Sequence, residues 1–86
     1  MRGTGLVRWG TETVYAYYTT DGNSLRVRVS VDEADRLGLT EGLRVWVGLP
    51  DKTPTDVLVM RVAHSPPFVW VELSAMTPSA TTARVG

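Results

Sequence analysis

A small, mainly β barrel with one short helix is the fold this sequence predicts, in the order β-β-β-α-β-β-β. Three observations carry that reading. The segments LRVRVSV at 25–31 and LRVWVGL at 43–49 alternate apolar and polar residues, the period of a half-buried strand. The segments at 13–20, 57–63 and 68–74 are dense in β-branched and aromatic residues, and Gly, Pro, Asn and Asp separate them. One stretch alone, 31–37, has the spacing and end signals of a helix. A chain of 86 residues holds one small core. Residues 1–76 are expected to form that single domain, and 77–86, rich in Ser, Thr and Ala with little to bury, a flexible tail.

Each element has a local reason. LVRW at 6–9 suits a short edge strand, and GTE turns it toward TVYAYYTT at 13–20. DGNS at 21–24 is a tight-turn signal, because Gly22 and Asn23 tolerate positive φ. In the next strand Leu25, Val27, Val29 and Val31 face one way, and Arg26, Arg28 and Ser30 the other. Ser30 also begins the helix: with Glu33 it forms a capping box, serine oxygen to the Glu33 N–H and Glu33 back to the Ser30 N–H. Asp32 and Glu33 in the first turn and Arg36 near the last match the helix dipole. Val31, Ala34 and Leu37 share a face, and Gly38 is placed to end the helix in the left-handed conformation, with Leu39 folding back. TEG at 40–42 is a turn. The strand at 43–49 sends Leu43, Val45, Val47 and Leu49 inward and Arg44 and Trp46 outward. PDKTPTD at 50–56 reads as a loop, and HSPP at 64–67 joins the last two strands, leaving His64 in a solvated turn.

Composition narrows the chemistry. Eight Arg and one Lys balance nine acids, which argues against an all-over basic coat but not against a local patch. Residues 1–30 carry four Arg (Arg2, Arg8, Arg26, Arg28) and two acids, so the basic excess lies in the N-terminal third. Without Cys there is neither a disulfide nor a thiolate metal site. No apolar run approaches the ~20 residues of a membrane helix, and no signal-peptide core is present, so a cytoplasmic protein is expected.

Enzyme sites are hard to assemble from these residues, and no enzyme, metal or cofactor is expected. His64 is the single histidine, and Ser65 beside it lacks a glycine elbow. Asp32-Glu33-Ala34-Asp35 spells the magnesium-binding motif of the DEAD-box helicases, but Lys52, the single lysine, follows Leu49-Pro50-Asp51 instead of a phosphate-cradling glycine loop. The outward strand faces say more. Arg26, Arg28, Arg44 and Trp46 project from polar faces. Arginine beside an aromatic ring on a sheet binds phosphate and stacks on bases, or covers a second apolar layer or a dimer contact.

The stretch GNSLRVRVSVDEADRLGLTEGLRVWVGL at 22–49 resembles the AbrB/MazE-like superfamily of swapped-hairpin DNA-binding domains. Gly22, Asn23 and Ser24 match that family's Gly-Asn-Ser turn, Val27-Arg28-Val29 its Val-Arg-Ile strand, Leu37-Gly38-Leu39 the end of its short helix, and Gly42 the glycine before the next strand. The resemblance implies a homodimer in which each chain completes the other's barrel, binding duplex DNA as a transcriptional regulator or antitoxin-like autoregulator. It implies DNA-facing roles for Asn23, Ser24 and Arg28, and Arg26 joins them by alternation. The same segment also suits a related cradle-loop barrel, half of a double-psi barrel or a TOBE-like small-ligand module. The alternative is a protein-binding adaptor or inhibitor on that barrel, with no DNA bound, which neutral charge, Trp9, Trp46, Trp70 and two apolar hairpins suit.

Overall fold

Apolar alternation on six strands closes into a ring. The structure is a computed structural model that describes residues 1–22 and 24–75. Its elements are β1 (Arg2–Trp9), β2 (Glu12–Asp21), β3 (Ser24–Ser30), α1 (Val31–Leu37), β4 (Arg44–Gly48), β5 (Thr55–Ser65) and β6 (Phe68–Ala75). The strands form a closed barrel in the order β1-β2-β3-β6-β5-β4, with every neighbouring pair antiparallel. Two three-stranded meanders, β1–β3 and β4–β6, are thus sewn together along β3 and β6. Helix α1 carries the chain from one meander to the other, packing on β3 and β6. One chain supplies all six strands, so ring closure by itself asks nothing of a second copy. The expected tail at 77–86 and the turn residue Asn23 lie outside the described residues.

The interior is a valine-rich core: Val7, Val14, Val27, Val29, Val57, Val59, Val69 and Val71, with Leu73, are at most 2% exposed. β-Branched side chains suit this position, since they pack on a pleated surface with few rotamers to lose. No polar or charged side chain is buried among the described residues. Trp9, read from sequence as a candidate partner-surface residue, is instead 4% exposed and belongs to the core. It lies on the inward parity of β1, opposite Val47.

The helix reading holds at both ends. Ser30 is extended (φ −69°, ψ 160°), and its hydroxyl accepts from the Glu33 N–H at 3.2 Å. Gly38 is left-handed at φ 65°, donating to the carbonyls of Ala34 and Asp35. The reciprocal half of the capping box gives way to an ion pair, because Glu33 Oε1 accepts from Arg36 Nε at 2.8 Å. β4 is shorter than its sequence signal, Arg44–Gly48 against 43–49, but two other strands run well past theirs. β1 begins at Arg2, and β5 extends to Ser65, which takes His64 out of the expected turn and pairs it with Val69. Pro66 and Pro67 alone make that turn.

β5 also contains a bulge between Val59 and Arg61. Strict alternation from Val57 and Val59 would turn Arg61 into the core. Met60, 53% exposed, is the surplus residue that resets the parity, so Val62 faces Val71 inside while Arg61 and Ala63 face outward.

Candidate binding face

The outer surface of β2, β3, β6 and β5 collects the chemistry-bearing side chains in cross-strand rows. The first row is Tyr17–Arg28–Trp70–Ala63, each residue directly opposite the next. The second is Thr19–Arg26–Glu72–Arg61. Phe68 follows one pleat along β6, opposite Ser30. Such directly opposed side chains stand about 5 Å apart and interact.

Arg28 is the centre of the first row. Its guanidinium carbon lies 4.3 Å from the ring centroid of Phe68, 5.1 Å from Tyr17 and 5.8 Å from Trp70. Tyr17 and Trp70 also meet edge to face, with centroids 6.0 Å apart at 89°. The cation therefore rests within cation–π reach of three rings, and among the described residues it has no ion-pair partner.

The second row is polar. Arg26 Nη2 lies 3.3 Å from Glu72 Oε2, with both side chains substantially exposed. Exposed pairs of this kind contribute at most about 1 kcal/mol, so a ligand's anion can take over Arg26. Arg61, on the far side of Glu72, has no ion-pair partner among the described residues. Ala63 is too small to fill the space beside Trp70. The result is an open groove of about 330 Å³ lined by Arg26, Arg61, Ala63, Trp70, Val71 and Glu72.

Of the residues expected to face a ligand, Ser24, Arg26 and Arg28 share this surface, and Asn23 lies outside the described residues. Arg26 and Arg28 are engaged by Glu72 and by aromatic rings, not by Asp32, Asp35 or Glu41. Arg44 and Trp46 do not join them. β4 is separated from β3 by β5 and β6 in the ring, and Arg44 donates to Asp56 at 2.9 Å through Nε. That hydrogen bond holds the Asp56 carboxyl below the usual carboxylate range. Trp46 is 59% exposed beside Arg8, Gly10, Thr11 and Pro54. The residues the sequence did not single out are Tyr17, Phe68, Arg61 and Glu72. The alternation of FVWVELS already puts Phe68, Trp70 and Glu72 on one face, but nothing local says that β6 lies beside β3.

Among the described residues no three His, Asp or Glu side chains come together in a way that could hold a metal ion. No helix is long and apolar enough to cross a membrane. No protein-family model matches the chain, and no curated protein or solved structure is significantly similar to it.

Proposed function

We propose that this chain is a non-catalytic binding module that docks a protein partner on the β2–β3–β6–β5 face. One observation carries the reading: Arg28 held among Tyr17, Phe68 and Trp70. Tyr, Trp and Arg are the residues most enriched at the energetic centres of protein interfaces. Here they stand together on a rigid sheet, so their rotamers are already restricted before a partner arrives. A polar rim of Arg26, Arg61, Glu72 and Ser24 surrounds them, the arrangement that shields a desolvated centre from water.

A second reading is nucleic-acid binding, as the expected DNA-binding regulator. It is favoured by Arg26, Arg28 and Arg61 sharing a face with Trp70, since arginines and stacking rings together track phosphates and bases. Charge count weighs against it as the main role. A duplex binder making six to ten phosphate contacts draws on many cations. This face offers three arginines offset by Glu72, on a chain of zero net charge.

The test is a paired measurement. Wild-type protein and a Tyr17→Ala/Trp70→Ala variant are used as baits in host extract, and both are titrated against duplex DNA at low salt. The proposal expects a stoichiometric protein partner retained by the wild type and lost by the variant, with weak, strongly salt-dependent DNA binding. A tight DNA complex with no protein partner would instead establish the second reading.

A further inference from the structure

The barrel is closed at one point and open beside it. β1 pairs with β2 along its whole length, from Arg2 to Trp9, but with β4 at Arg8 and Trp9 alone. Continued by two residues, the β1–β4 register sets Pro50 opposite Leu6, and proline has no N–H to give. The chain turns away there: the Lys52 N–H donates to the Leu49 carbonyl at 3.0 Å, and Asp51 takes a positive φ of 62°. Pro50 Cγ lies 2.9 Å from where a Cβ on Gly5 would stand, so the loop fills the inside of the gap. Glycine at position 5 is what permits that approach.

The unpaired groups can be named. Antiparallel neighbours exchange hydrogen bonds at alternate residue pairs. Met1 and Thr20 exchange both of theirs, at 2.7 and 3.2 Å, which directs the odd-numbered residues of β1 toward β2. The Gly10 N–H donates to the Trp46 carbonyl at 2.7 Å, which directs the even-numbered residues toward β4. Beyond the end of β4, Arg2, Thr4 and Leu6 therefore aim N–H and C=O outward, with no hydrogen-bond partner among the described residues. An edge of this kind is a template for an added strand.

The side chains indicate which strand. Leu6 is 62% exposed opposite Tyr15 at 67%, an apolar row that reaches the edge. Arg2 and Arg8 flank it, and RGTGLVRW contains no acid. A second copy laid antiparallel about Thr4 would set each Arg2 diagonally against the other's Arg8, a like-charge contact that disfavours self-pairing. We infer that the β1 edge accepts an extended acidic segment of a partner protein, antiparallel, with a carboxylate opposite Arg2 and an apolar residue opposite Leu6. This edge is a separate surface from the aromatic face, and the two fail independently.

The probe is a short, blocked, threonine-rich peptide carrying leucine and glutamate at those two positions, with a lysine-for-glutamate peptide as its counterpart. On binding the glutamate peptide, amide hydrogen exchange is expected to slow at Arg2, Thr4 and Leu6 and to stay unchanged at Gly3 and Gly5. Thr4→Pro is expected to abolish binding, because it removes the central outward N–H without touching a bond to β2. Trp70→Ala is expected to leave it intact. Arg2→Glu is expected to reverse the preference toward the lysine peptide, a readout that does not depend on the proline variant folding. The inference is overturned by any of four results: no binding of the glutamate peptide, equal binding of both peptides, undiminished binding to a folded Thr4→Pro variant, or a wild-type dimer that Thr4→Pro dissolves.

Discussion

At the scale of single residues, Arg28 and Asp56 show how neighbours set what a charge does. Arg28 lies among aromatic rings and has no ion-pair partner among the described residues, so its contribution comes from cation–π attraction. Arg28→Ala is expected to cost about 1–2 kcal/mol in urea unfolding. Arg28→Lys should recover only part of that, since an ammonium keeps the charge but loses the planar stack. Asp56 behaves in the opposite way. Its carboxyl titrates below the ordinary value because Arg44 donates to the ionised form. The stabilisation this gives is present above the unfolded carboxylate pKa, and it is lost as pH falls through the lower folded value. Asp56→Asn is expected to flatten the acid limb of the stability profile and to leave its neutral limb level; thermal melts from neutral pH down to below the ordinary carboxylate value of 3.8 measure it. In the DEAD tetrapeptide, Glu33 donates its N–H to the Ser30 cap and pairs with Arg36.

At the scale of elements, α1 and β5 are opposite cases. The helix was legible because its instructions are local: a serine cap, three residues on to Glu33, and a glycine at φ 65°. Ser30→Ala is expected to cost about 1 kcal/mol. Gly38→Ala should cost about 1–2 kcal/mol, because an L side chain resists the left-handed conformation. Two-state chemical unfolding would measure both. β5 was legible only to its midpoint. Counting by twos from Val57 puts Arg61 inside, and only the bulge at Met60 returns it to the face it shares with Glu72. Deleting Met60 is therefore expected to preserve every β5–β6 partnership on both sides of it. Cross-strand nuclear Overhauser contacts from Val62 to Val71 should survive the deletion; their loss would mean that the bulge itself pins the register.

For the whole molecule, the thin closure between β1 and β4 is the energetic weak point. Two residue pairs join those strands, while β3 and β6 share seven. Trp9 sits at that closure, 4% exposed and opposite Val47, and belongs to the core beneath it. Trp9→Ala is expected to cost about 3–5 kcal/mol, comparable with the whole stability of a domain this size. Such a variant should populate an opened or unfolded state at room temperature, visible as collapsed amide dispersion. Trp46→Ala, by contrast, removes a ring that is 59% exposed and should leave the melting temperature nearly unchanged. The two tryptophans look alike in sequence, and the ring assigns them to opposite sides of the wall.

By itself the sequence determined the elements: six β segments with inward valines, one capped helix, a neutral surface and the outward direction of Arg26 and Arg28. Each of those follows from residues within a few positions of one another, where alternation, capping and turn chemistry act. Only the tertiary structure decided which strands are neighbours. It put β6 beside β3, and so delivered Trp70 and Phe68 to Arg28 and Glu72 to Arg26, across forty or more residues of chain. It put β5 and β6 between β3 and β4, separating Arg44 and Trp46 from the arginines they were grouped with. It also ended the β1–β4 ladder at Pro50, leaving an edge that the alternation of RGTGLVRW alone does not reveal. Alternation fixes the face of a side chain but carries no information about the strand across from it. Packing of the shared valine core selects that partner, and which side chains meet on the outer face follows from the selection.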